Sequence, residues 1–234
     1  MELYNEFIDD ILKKAENSAF YPYNPSAVCD RTDSGTLILS KEAAFELGGM
    51  GLPAVNSTLF CTNRDIKDGV FVLGKDIGSL TADTPYARAA IIALDEKAVE
   101  DDDGVYRQLK DIEFAKYHVF PKGCLIRLSP ESRREQIRVS KKAVKDGLSL
   151  KSIGFTFIEE YKKNPSVKAV TVVFITDPSF DYKKLKADSE KAFAVTESLN
   201  KIFDGLEISC DTCELKAICD EVEGLRQLHF GKEK

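Results

Sequence analysis

The apolar positions open with a helical period. Tyr4, Phe7, Ile8, Ile11, Leu12 and Ala15 recur at three- and four-residue steps, which predicts an amphipathic helix with one apolar stripe. Residues 21–35, YPYNPSAVCDRTDSG, are dense in Pro, Asn, Asp, Ser and Gly and read as loop. Thr36 to Leu39 is a short strand candidate. A helix is expected to begin at Ser40 and to stop at Gly48 and Gly49. Beyond it the signal changes to short apolar runs bounded by turn residues, STLFC, GVFVLG and AAIIAL, which suit buried strands of a mixed sheet.

The acidic stretch 100–104, EDDDG, reads as a solvated loop, and residues 105–117 return to helical spacing through Val105, Leu109 and Ile112. LIRLS, 125–129, is a strand candidate that Pro130 ends. A helix is expected over 140–146 with Gly147 as its stop, and a second over 149–163 ended by Asn164-Pro165. A central strand follows over 168–176, rich in β-branched residues. A long polar helix then runs from about Phe180 to Phe203, with Leu185, Phe193, Leu199 and Phe203 as its buried points. No repeat or linker interrupts this order. It predicts an α/β or α+β fold, a mixed sheet with flanking helices, in one body over 1–204 and a cysteine-rich segment over 205–234.

Composition narrows the function. The 234 residues carry 33 Lys+Arg against 39 Asp+Glu, a net charge of −6, which disfavours nucleic acid as a partner. The longest apolar run, Ala169 to Ile175, is interrupted by Thr171 and falls far short of the ~18 residues that suggest a membrane span. The first twenty residues lack the basic start and unbroken apolar stretch of a signal peptide, so a cytoplasmic chain is expected. In that setting six cysteines, Cys29, Cys61, Cys124, Cys210, Cys213 and Cys219, favour metal binding over a disulfide scaffold.

The sharpest chemical feature is Cys210-Asp-Thr-Cys213-Glu-Leu-Lys-Ala-Ile-Cys219, a C-x2-C-x5-C run. Two thiolates three apart can reach one centre, and a third can fold back onto it. The spacing suits an iron–sulfur cubane, a [4Fe-4S] cluster, better than a ribbon-type zinc site with two C-x2-C pairs. A fourth ligand would come from Cys124, Cys29, Cys61 or His229. Zinc, a redox pair and three idle thiols remain as alternatives.

The second feature is a charge reversal. Over 122–145, eight basic residues face only Glu131 and Glu135, a local balance of +6. Arg133, Arg134, Arg138 and Lys141 offer donors suited to the phosphates of a nucleotide or coenzyme A, and the bland reading is a solvated basic face. Gly48, Gly49 and Gly51 form a turn that lacks the pattern of a phosphate-binding loop. The two histidines do not assemble a hydrolytic triad: His118 suits a helix end, and His229 is a weak candidate ligand.

FELGG (45–49), VLGKDIGSL (72–80), KDIEFAKYHVF (110–120), IRVSKKAVKDG (137–147) and FITD (174–177) occur in an order that resembles the acetyl-CoA synthase subunit of the carbon monoxide dehydrogenase complex. The resemblance covers about residues 44–177 together with the C-terminal cysteines. It implies a mixed α and β middle domain, an Arg-rich surface for coenzyme A involving Arg133, Arg134 and Arg138, and a metalloenzyme or redox partner. Cys210 and Cys213 match the first pair of that family's cluster motif, and Cys219 matches the third across a shortened gap. The family's Cys-Gly-Cys nickel element has no counterpart here. The resemblance therefore implies a shortened iron–sulfur relative in anaerobic one-carbon metabolism that does not complete acetyl-CoA synthesis alone, or a non-catalytic accessory module that holds zinc or delivers metal.

Overall fold

The structure, a computed structural model, describes residues 4–62, 64–95, 104–129, 132–203 and 213–221. In chain order its elements begin with α1 (Asn5–Ala15), β1 (Ala19–Pro22), β2 (Ala43–Leu47), β3 (Ala54–Cys61), β4 (Gly69–Leu73), β5 (Tyr86–Leu94) and α2 (Gly104–Ala115). They continue with β6 (Cys124–Ser129), β7 (Arg134–Ser140), α3 (Lys141–Lys145), α4 (Leu150–Tyr161), β8 (Val167–Ile175), α5 (Tyr182–Phe203) and α6 (Lys216–Glu221). This is an α+β fold, as the alternation of apolar runs predicts. Among the described residues no helix is long and apolar enough to cross a membrane.

Five strands form a mixed sheet in the order β1-β4-β8-β5-β3. β8 lies at its centre, parallel to β4 and antiparallel to β5, and β3 runs parallel to β5. β3 and β5 are buried along their whole length, so neither alternates between an apolar and an exposed face, and the polar Asn56, Ser57, Thr58 and Arg88 within them are buried too. A second, antiparallel sheet has the order β2-β7-β6. The sheets are tied by backbone hydrogen bonds, Asn56 N–H to the Arg133 carbonyl at 2.9 Å and Gly48 N–H to the Thr84 carbonyl at 2.8 Å.

The helices close the core. α1 lays Ile8, Ile11 and Ala15 inward, as its period predicts. α4 starts at a capping box, with Ser149 and Ser152 each serving the other's backbone. Gly154 gives α4 its close approach to the sheet: a Cβ there would stand 2.5 Å from Val70 and 3.0 Å from Phe174. α5 packs along edge strand β3, where the Ser189 hydroxyl donates to the Asn56 carbonyl at 2.5 Å.

Three expectations are corrected. Thr36 to Leu39 is not a strand: Leu37 and Leu39 are exposed and Ile38 alone turns inward. The helix expected from Ser40 is strand β2, because Phe45 and Leu47 alternate into the core and β7 supplies the pairing. β1 falls inside the stretch read as loop, its Pro22 tolerated at a sheet edge. Residues 100–103 of the acidic loop lie outside the described residues.

Candidate functional site

Where β6 begins and β7 hands over to α3, the chain leaves a cavity of about 380 Å³. Its walls come from four places: Cys29 and Asp30 from the loop after β1, Lys122 and Gly123 before β6, Ser140 and Lys142 around the start of α3, and Ser152 in the first turn of α4. Gly123 is required there. Its φ is +75°, and a Cβ would approach Ala143 to 2.7 Å and the Ser140 hydroxyl to 3.1 Å. Ser140 is the N-cap of α3, accepting from Ala143 N–H at 3.1 Å.

The cavity carries charge at its mouth and a thiol in its wall. Lys122 stands 3.5 Å from Asp30 in an exposed pair that offers little mutual stabilisation, so its ammonium is open to other anions. Lys142 is exposed, and Asp146, one turn on in the same helix, is exposed too. Cys29 lies 3.0 Å from the Thr156 hydroxyl. Burial pushes its thiol up, while Thr156 and the nearby Arg31 pull it down. The wall sets two lysines, Lys122 and Lys142, beside two carboxylates, Asp30 and Asp146, and His118 is not part of it.

None of the four basic residues singled out from sequence lines this cavity, and each has a partner within the chain. Arg133 is turned inward, 4% exposed, next to Glu113 and over the ring of Phe193. Arg134 donates to the carbonyls of Gly48 (3.1 Å) and Leu52 (3.4 Å), pinning the glycine turn. Arg138 pairs with Glu46 at 2.5 Å and donates to the Ile38 carbonyl. Lys141 donates to the Lys41 carbonyl at 3.0 Å. Arg134 and Arg138 share one side of a strand, β7, not of a helix. Lys122 and Lys142 were legible as part of the same basic run; spacing offered Lys142 only as an alternative to Lys141 and did not single out Lys122.

The cysteines separate into different places. Cys61 and Cys124 are sealed in the core, and burial pushes both thiols far up, Cys61 to about 11. Cys213 and Cys219 are partly exposed at α6, with the Cys219 thiol 3.6 Å from the Ser198 hydroxyl on α5. Cys210 and His229 lie outside the described residues. Among the described residues no three His, Cys, Asp or Glu side chains gather as a metal-ligand set. Cys124, the fourth ligand offered by the sequence, is enclosed at the start of β6.

A profile of the CO dehydrogenase/acetyl-CoA synthase complex beta subunit matches residues 29–180. The chain belongs to that family. The match takes in the whole cavity wall, from Cys29 to Ser152, and stops before α5 and the C-terminal cysteines of this beta-subunit relative. No curated protein gives a significant match to the chain.

Proposed function

We propose that this beta-subunit relative binds a phosphate-bearing ligand of the coenzyme A or nucleotide type. The observation that carries the reading is the cavity beside the basic β7–α3 element. It is large enough for part of such a ligand, is rimmed by the exposed Lys122 and Lys142, and lies wholly within the family-matched residues. Arg134 and Arg138 are engaged with the carbonyls of Gly48 and Ile38, which leaves the two lysines to meet the phosphates as flexible point charges. Calorimetric titration of the purified chain with coenzyme A, dephospho-coenzyme A and ATP tests this. Saturable binding at one site supports the reading; absence of heat with all three contradicts it.

A second reading concerns metal, and a specific contrast favours it: Cys213 and Cys219 stay accessible while Cys61 and Cys124 are sealed. We infer that Cys210, Cys213 and Cys219 form the metal-binding segment, an iron–sulfur cluster or zinc, with any fourth ligand coming from outside the described body. Anaerobic purification followed by iron, sulfide, zinc and nickel analysis tests it. Stoichiometric metal that is lost on Cys213→Ser supports the segment; metal-free protein, or metal retained in that variant, removes it.

A further inference from the structure

Ser140 ends β7 and caps α3, and its backbone is held from both flanks. It pairs with Ala43 of β2, and its N–H donates to the Gly123 carbonyl at 3.0 Å. The next N–H, that of Lys141, donates to the Glu42 carbonyl at 2.9 Å. Within the helix cap, Ser140 Oγ accepts from Ala143 N–H at 3.1 Å. Among the described residues, no group accepts the proton of this hydroxyl.

The other hydroxyl and the thiol of the same cavity wall are engaged inside the chain. Ser152 donates to the Ser149 carbonyl at 2.9 Å. Thr156 donates to the Ser152 carbonyl at 3.0 Å, so the Cys29 thiol is the donor in its own 3.0 Å contact with Thr156. Gly123 keeps the space beside Ser140 clear, since a Cβ there would stand 3.1 Å from Oγ. Lys122 precedes that glycine, Lys142 follows Ser140 by two residues, and both line the cavity. The carboxylates of the wall are placed otherwise: Asp30 lies 3.5 Å from Lys122, and Asp146 caps the far end of α3.

We propose that Ser140 is a ligand-contacting residue, whose hydroxyl donates to the phosphate of the ligand and seats that phosphate where β7 turns into α3. The contact rests on the phosphate-bearing ligand already proposed for this cavity and adds the group that fixes its position. A deprotonated phosphate oxygen only accepts, and a hydroxyl donating to an anion makes a short, charge-assisted bond. Lys122 and Lys142 attract the same anion from long flexible stems and impose little direction. Ser140 instead carries a short side chain on a backbone pinned by β2, by Gly123 and by its own cap, so its donor selects one place.

The test titrates coenzyme A, dephospho-coenzyme A and ATP into the full chain and into Ser140→Ala, Ser140→Thr and Ser140→Asp, comparing each ligand that wild type binds. Ser140→Ala loses the donor and should bind about tenfold more weakly or worse. It also loses the cap, which should lower its thermal midpoint by about 2–4 °C. Ser140→Thr keeps both the proton and the cap and should restore binding. Ser140→Asp caps as well as serine, so its midpoint should stay near wild type, yet it turns a negative charge on the phosphate and should bind more weakly than Ser140→Ala. A purely capping serine predicts the reverse order, with the aspartate variant binding like wild type. The inference is overturned if Ser140→Ala binds as tightly as wild type, if Ser140→Thr loses as much as Ser140→Ala, or if Ser140→Asp binds as tightly as Ser140→Ala. Wild type that binds none of the three ligands removes the cavity reading and this contact together; wild type that binds beside an unaffected Ser140→Ala removes the contact alone.

Discussion

Arg88 of β5 and Glu135 of β7 meet at 2.6 Å with neither side chain exposed to solvent. Tyr86 donates its phenol to the same carboxylate at 2.8 Å, and the Arg88 guanidinium lies 4.1 Å from the Phe157 ring centre. Strand register explains the meeting, since Arg88 stands beside Asn56 on β3, the strand that carries the backbone bond to the β6–β7 turn. The pair joins the two sheets. Glu135→Ala leaves a buried guanidinium unpaired and should cost about 3–5 kcal/mol in urea unfolding. Arg88→Met combined with Glu135→Leu should recover a large part of that loss. A single variant within about 1 kcal/mol of wild type would refute the arrangement.

Gly154 places α4 against β4 and β8 more closely than any side chain permits. Gly154→Ala would gain helix propensity of about 1 kcal/mol on an unconstrained helix. Here its methyl meets Val70, which sits fully buried in β4 and cannot swing away. The expected net effect is a loss of about 1–2 kcal/mol, read from the denaturation midpoint. A stabilised variant would mean that α4 does not pack as described.

Alkaline pH should weaken the fold through Cys61. Burial lifts its thiol from the ordinary 9.0 to about 11. The neutral thiol is the form the core accepts, so its contribution is complete below pH 9 and is lost as pH rises towards 11. That contribution is about 2–3 kcal/mol. Cys61→Ala should flatten the fall in stability between pH 9 and pH 11. An unchanged slope would assign the loss to other groups, such as Tyr161, whose phenol burial raises to about 12.

Elements whose own period decides their burial were legible in the sequence. α1, α4, β5 and β8 each carry their pattern locally, as does the Gly147 stop after α3. β2 was not legible because Glu42 and Glu46 mimic a helix start, and only pairing with β7 reveals the alternation of Phe45 and Leu47. For the site, the basic run was visible but its division of labour was not. Whether Arg134 meets a ligand or the Gly48 carbonyl depends on a turn more than eighty residues away. The buried Arg88–Glu135 pair left no sequence signal at all, since an arginine within AAIIAL-like residues is recognisable as paired only once its partner strand is placed.

The reading of the cavity is tested most directly by titrating coenzyme A into three proteins: wild type, Lys122→Ala with Lys142→Ala, and Arg134→Ala with Arg138→Ala. Loss of two charge-assisted phosphate contacts should weaken binding to the lysine variant about tenfold or more. The arginine variant, altered in side chains that serve the scaffold, should lose stability while keeping most of its affinity once folded. Binding that is unchanged in the lysine variant and abolished in a folded arginine variant would contradict the account and return the ligand to the arginine face.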